Sequence, residues 1–196
     1  MRLPERTGDD VVIGVAVTVP EPHGSALQAA RSRFGDPLAE LIPPHVTLLG
    51  PTAVPPARVA SIREHLAAAA AAHAPFSLRL RGTGTFRPVT QVAFVQVADG
   101  IAGCEQLESA VRQGPLAQEL RYHYHPHVTV AHDLDDARLD AAIDELAGFD
   151  ATFVVDRFDL YECGSDDVWR VTHGFPLDGA AAPSAGPADA EARPAT

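Results

Sequence analysis

Two tetrapeptides decide how this chain reads: Pro44-His45-Val46-Thr47 and Pro126-His127-Val128-Thr129. The two histidines stand 82 residues apart (127 − 45). Each tetrapeptide opens a short β-branched, apolar run, continued by Leu48-Leu49-Gly50 in the first case and by Val130-Ala131 in the second. Such runs predict short strands. On a strand, residues i and i+2 point to one face. His45 and Thr47 therefore share a face, with Val46 and Leu48 on the other; His127 and Thr129 repeat the arrangement against Val128 and Val130. The apolar set must face a core, so each His/Thr pair faces away from it.

Working outward, the same order of elements surrounds both motifs. Val11–Val19 reads as a buried strand and Ser25–Phe34 as a helix closed by Gly35-Asp36-Pro37. After the first motif, Pro56–His73 reads as a helix with Val59, Ile62 and Leu66 on one face, and Phe76–Arg81 as an alternating strand. The second half runs through a strand at Gln91–Val97, a helix at Ile101–Gln113, the second motif, and a helix at Asp135–Ala147 with Asp135 as its N-cap. One or two strands over Ala151–Cys163 and a closing strand over Val168–Leu177 complete it. Internal repetition of this kind implies two similar lobes related by a pseudo-two-fold axis. The expected fold is α+β and bilobal: two pseudo-symmetric lobes, antiparallel sheets lining a central cleft, and helices outside. The domain spans 1–178, with lobes at about 10–82 and 90–178 that can exchange strands. Residues 179–196, mostly Ala, Pro and Gly, are expected to form a disordered tail.

Two opposed histidines suit phosphodiester chemistry. Imidazole titrates near pH 6.5, so one ring can take a proton from an attacking hydroxyl or water while the other gives one to the departing oxygen. Two threonine hydroxyls can hold the non-bridging phosphate oxygens, whose charge changes in the transition state. The scheme requires no metal and no cofactor. At this level the two histidines are interchangeable as acid and base.

These residues resemble the twin His-x-Thr motifs of the 2H phosphoesterase superfamily, specifically its 2′-5′ RNA ligase-like branch. The flanks agree, with Pro43-Pro44 before the first motif, Leu49-Gly50-Pro51 after it, and Pro126 before the second. The resemblance covers roughly residues 10–178. It implies a bilobal α+β fold and metal-independent opening of 2′,3′-cyclic phosphates, or cleavage and joining of 2′-5′ linkages. It implies His45 and His127 as catalytic residues and Thr47 and Thr129 as phosphate ligands. Many relatives carry an arginine three positions after the second threonine. Here His132 stands there, readable as a phosphate contact in its place or as a turn residue beside Asp133. Phe86, in a predicted loop next to Arg87, reads either as a base-stacking ring or as ordinary loop packing.

Composition sets the outer limits. All 15 basic residues are arginine, against 26 acidic ones, for a net charge of −11. The absence of lysine removes Schiff-base and P-loop lysine chemistry. The acidity argues against an extended nucleic-acid surface, so the expected partner is a cyclic nucleotide or a single RNA terminus, bound by a monomer. Two cysteines without a CxxC pairing, no signal sequence and no long apolar span predict a cytoplasmic chain with no membrane segment. Two other functions remain open: a non-catalytic nucleotide or RNA-end binding module on the same fold, and a zinc enzyme using His123, His125 and His127, which would share a face on a continuous strand.

Overall fold

The structure, a computed structural model, describes residue 4, residues 7–119 and residues 122–180. Its strands are β1 (Val11–Thr18), β2 (His45–Val54), β3 (Phe76–Thr85), β4 (Val92–Asp99), β5 (His127–His132), β6 (Asp150–Val155), β7 (Arg157–Cys163) and β8 (Trp169–Pro176). The helices are α1 (His23–Phe34), α2 (Val59–Ala71), α3 (Ile101–Val111) and α4 (Asp136–Glu145), with a short 3₁₀ turn (Pro56–Arg58) leading into α2. The fold is α+β, as expected.

The strands form one eight-stranded sheet in the order β6-β3-β4-β5-β2-β1-β7-β8. Its pairings are antiparallel. The order reads symmetrically outward from its centre: β2-β1-β7-β8 on one side and β5-β4-β3-β6 on the other. β3 therefore sits with β4 and β6 rather than with β1 and β2, while β7 and β8 complete the half begun by β1 and β2. The two halves meet where Val46 pairs with Val128.

Both central strands carry the same irregularity. Ala16 pairs with Thr47 but Val15 with Leu49. Phe94 pairs with Thr129 but Ala93 with Ala131. An extra residue thus follows each threonine, a β-bulge that lets two consecutive residues turn inward. Leu48 and Leu49, like Val130 and Ala131, all enter the main core. That core lies on the Val46/Val128 face, and all four helices contribute to it, among them through Leu27, Ile62, Leu107 and Leu139. The opposite face of β1 packs a smaller cluster: Val12, Ala16, Ile42, Tyr161, Cys163 and Trp169.

Local signals act as the sequence implies. Asp135 caps α4, its Oδ1 accepting the Arg138 N–H at 3.0 Å. Gly35 ends α1 with φ +79°, a left-handed conformation that glycine adopts without penalty. The strand at Phe76–Arg81 extends further than predicted, through Gly82 to Thr85. Gly84 is required there, because a Cβ would lie 2.7 Å from Cζ of Phe94. Both cysteines are buried thiols, and burial raises the Cys104 pKa to about 12. Gly179 is docked, its N–H donating to the His73 carbonyl at 3.0 Å; the remainder of the expected tail, 181–196, lies outside the described residues. No helix among the described residues is long and apolar enough to cross a membrane.

Candidate active site

β2 and β5 are central neighbours, and both begin at their motif histidine. With Val46 opposite Val128, an antiparallel register sets His45 beside Thr129 and Thr47 beside His127. All four side chains leave the sheet on the face away from Val46 and Val128, which are fully buried. All four are themselves half-buried. Diagonal partners across an antiparallel pair lie about 7–8 Å apart at Cα. The two histidines are diagonal partners of this kind, and the His127 charge reaches His45.

The two rings are held alike. His45 Nδ1 lies 2.8 Å from the Pro43 carbonyl oxygen, and His127 Nδ1 lies 2.7 Å from that of His125. A carbonyl only accepts, so each Nδ1 carries the proton and donates it. Each Nε2 is thereby left with its lone pair in the neutral ring, poised to take or return a proton. Burial lowers the His45 pKa from 6.5 to about 4; the backbone bond to Pro43 opposes this, and the Arg31 and His127 charges add to it. Burial also lowers that of His127, opposed by its bond to the His125 carbonyl and assisted by the His125 charge.

The surroundings differ sharply between the halves. Around His127 the neighbours are aromatic: Phe86 meets it edge-on at 4.9 Å between ring centroids, and Phe94 lies at 5.2 Å. Phe86 and Phe94 in turn are 4.4 Å apart. The candidate base-stacking ring is thus placed directly against a motif histidine, because β3 runs beside β4. Phe86 and His127 border a cleft of about 590 Å³ that also reaches Thr47, Tyr122, Tyr124 and His125. The Tyr124 hydroxyl donates to the Thr47 carbonyl at 2.9 Å.

Around His45 the neighbours are polar or rigid. Thr18 is its strand partner, and the Thr18 hydroxyl donates to the buried Asp159 carboxylate at 2.6 Å. The same hydroxyl bonds the Tyr161 hydroxyl, and the Tyr161 ring lies 6.3 Å from His45. Burial raises the Tyr161 pKa to about 12, so the phenol stays protonated. Beneath lies Arg31, which the helical pattern of α1 hides among apolar residues. Its Nε donates to Asp36 at 3.0 Å and its NH1 to the Ile42 carbonyl at 2.7 Å, next to the Pro43 carbonyl that holds His45.

His132 lies at the end of β5, opposite Val92. Its Nδ1 is 3.0 Å from Asp133 Oδ2, and it lines neither cavity beside the motif histidines. His123 and His125 precede β5 rather than continuing it, because Pro126 interrupts the alternation. Among the described residues no group of three or more His, Cys, Asp or Glu side chains is gathered tightly enough to hold a metal ion. The alternative zinc trio of His123, His125 and His127 is therefore not formed. No local pattern marks Thr18, Asp159, Tyr161 or Arg31 as neighbours of His45, since each reaches it from another element.

Comparison with known proteins places the chain in a family. Residues 19–167 match the model of the 2′-5′ RNA ligase superfamily. A Bacillus cytotoxicus protein named "Putative phosphoesterase Bcer98_0945" is 32% identical over 75% of this chain and 86% of its own length. A similarly named Oceanobacillus iheyensis protein is 28% identical over 84% and 96%. Among solved structures, TT0787 of Thermus thermophilus is 25% identical, covering 86% of this chain and 98% of that one with a TM-score of 0.56. The apo form of E. coli LigT shares the fold at 16% identity, over 87% and 99%, with a TM-score of 0.61. Family membership supports phosphoesterase chemistry in the broad sense, and the chain belongs to the 2′-5′ RNA ligase superfamily.

Proposed function

We propose that this chain is a metal-independent phosphodiesterase acting on 2′,3′-cyclic phosphates or 2′-5′ phosphodiester linkages of nucleotides or RNA ends. His45 and His127 exchange protons with the attacking and departing oxygens, and Thr47 and Thr129 hold the phosphate. The observation that carries the reading is the Val46–Val128 pairing, which brings both His-x-Thr pairs to one face of one sheet. The uniform Nδ1–carbonyl bonds add to it, because they leave both Nε2 atoms available for proton transfer. E. coli LigT has been solved with 3′-AMP and with ATP, which makes nucleotides a reasonable ligand class to test here. The aromatic cleft beside His127 suits a nucleobase. His132 is proposed as a phosphate contact only for a substrate long enough to reach the end of β5.

The test is hydrolysis of nucleoside 2′,3′-cyclic phosphates by the wild type, with and without a chelator, and by His45→Ala and His127→Ala. Turnover insensitive to chelator and lost in both variants is expected. Wild-type rates in either variant would overturn the two-histidine scheme.

A further inference from the structure

The cleft beside His127 carries a charged pair that proton transfer at the histidines leaves unused. It comes from α3. Glu108 stands one helical turn after Cys104, a core residue, and one turn before Arg112, so it lies at the margin of the core. Glu108 and Arg112 both line the cleft that Thr47 and His127 border. Glu108 is only 7% exposed. Arg112 Nε lies 3.0 Å from Glu108 Oε1, yet no hydrogen bond from a described residue reaches that oxygen, and it is closed off from water. Part of the guanidinium is held elsewhere, its NH2 donating to the Gln118 carbonyl at 2.9 Å. A buried acceptor that has given up water without a hydrogen bond in exchange is costly. Burial pushes the Glu108 pKa up, and the Arg112 charge opposes this without cancelling it. A ligand that brings N–H donors would relieve the same cost.

Resting on the reading that the nucleoside lies in this cleft, we propose that Glu108 reads the edge of the base and selects guanine. A carboxylate only accepts hydrogen bonds. Guanine alone among the four RNA bases presents two adjacent donors on one edge, N1–H and the N2 amino group, and these match the two oxygens of a carboxylate. Adenine and cytosine set a single amino group beside a ring nitrogen that is itself an acceptor. Uracil sets one N–H between two carbonyls. Each of these three therefore brings a lone pair against the carboxylate where guanine brings a second donor. The last torsion of a glutamate side chain is soft, so the carboxylate can turn both oxygens to the base.

The rest of the cleft supplies faces rather than choice. Phe86 is backed by Phe94 at 4.4 Å, and Tyr124 is fixed through its hydroxyl, which donates to the Thr47 carbonyl at 2.9 Å. Phe86 and Tyr124 line the same cleft as Glu108. Aromatic faces stack on any base and do not discriminate between them. Selection therefore falls to the edge. Among the described residues lining the cleft, Glu108 carries the one side chain that only accepts.

The experiment measures kcat/KM of the full chain for the 2′,3′-cyclic phosphates of the four nucleosides and of inosine, together with equilibrium binding of the four nucleoside 3′-monophosphates. The wild type is expected to favour guanine over the other three bases by roughly 10–10²-fold, the discrimination that a good bidentate pair to a base edge gives. Inosine, which lacks the N2 amino group, should fall between. Glu108→Gln keeps the shape but sets an amide donor against the base donors, and should bring guanine down to the level of the other bases. Equal treatment of the four bases by the wild type would overturn the proposal, whatever the variant does. A loss in Glu108→Gln shared equally by all four bases would also overturn it, since a purely structural glutamate does that. The underlying reading fails separately: if no cyclic phosphate is turned over while guanosine 3′-monophosphate binds preferentially and through Glu108, the two-histidine scheme falls and the base subsite stands.

Discussion

Val46 and Val128 face each other across β2 and β5, and through this pair the two halves of the sheet become one. Both are fully buried. The pair therefore has two effects: it closes the core beneath the site, and it sets the motif histidines on one face.

Truncating this contact should weaken the whole fold. Val128→Ala removes buried methyl groups where the sheet is narrowest in its pairing, and should lower unfolding free energy by about 1–3 kcal/mol. Val154→Ala, at a side chain 62% exposed, should change it by less than about 0.5 kcal/mol. Urea or guanidinium titration of the two variants checks the contrast.

Gly84 is the close-approach point of the aromatic wall. Gly84→Ala would drive a Cβ to 2.7 Å from the Phe94 ring, which flanks both Phe86 and His127. Overpacking of this kind costs about 1–3 kcal/mol. Stability and turnover should fall together, and Phe94 should shift in any structure of the variant.

Acid stability should carry the signature of His45. Its folded pKa is about 4 against 6.5, so between these values the unfolded chain binds more protons than the folded one. Stability then rises with pH across that window and is lost as pH falls through it. His45→Gln should flatten the slope of unfolding free energy against pH between about 4 and 6.5, measured by denaturant titration at a series of pH values.

Much of this was legible in the residues because it rests on local periodicity. His45-Val46-Thr47 and His127-Val128-Thr129 declare their two faces by alternation, and Asp135 declares the start of α4 by its side chain. What periodicity cannot give is partnership between strands. Nothing in Phe76–Thr85 says that it pairs with β4 and β6, or in Arg157–Cys163 that it returns to β1. The environment of His45 was hidden for that reason, since Asp159 and Tyr161 arrive on β7. Arg31 was hidden differently: its helical spacing is that of a core residue, and it is one, but its charge is balanced by Asp36 from the turn that Gly35 makes. The His123-His125-His127 spacing left a zinc alternative open in the sequence, and Pro126 closes it by stopping the strand from extending back to include the first two. The matching bulges after Thr47 and Thr129 leave no mark in composition, only in register.

The central claim is that His45 and His127 act as one unit on one phosphate. Its most direct test is kcat/KM for a 2′,3′-cyclic nucleotide in His45→Ala, His127→Ala and the double variant. Groups that work as a unit are strongly non-additive. Each single change should remove roughly 10²–10⁴-fold of the activity, the usual contribution of acid–base catalysis, and the double variant should lose little more than either. Independent losses that multiply in the double variant, or a single variant with wild-type activity, would contradict the account.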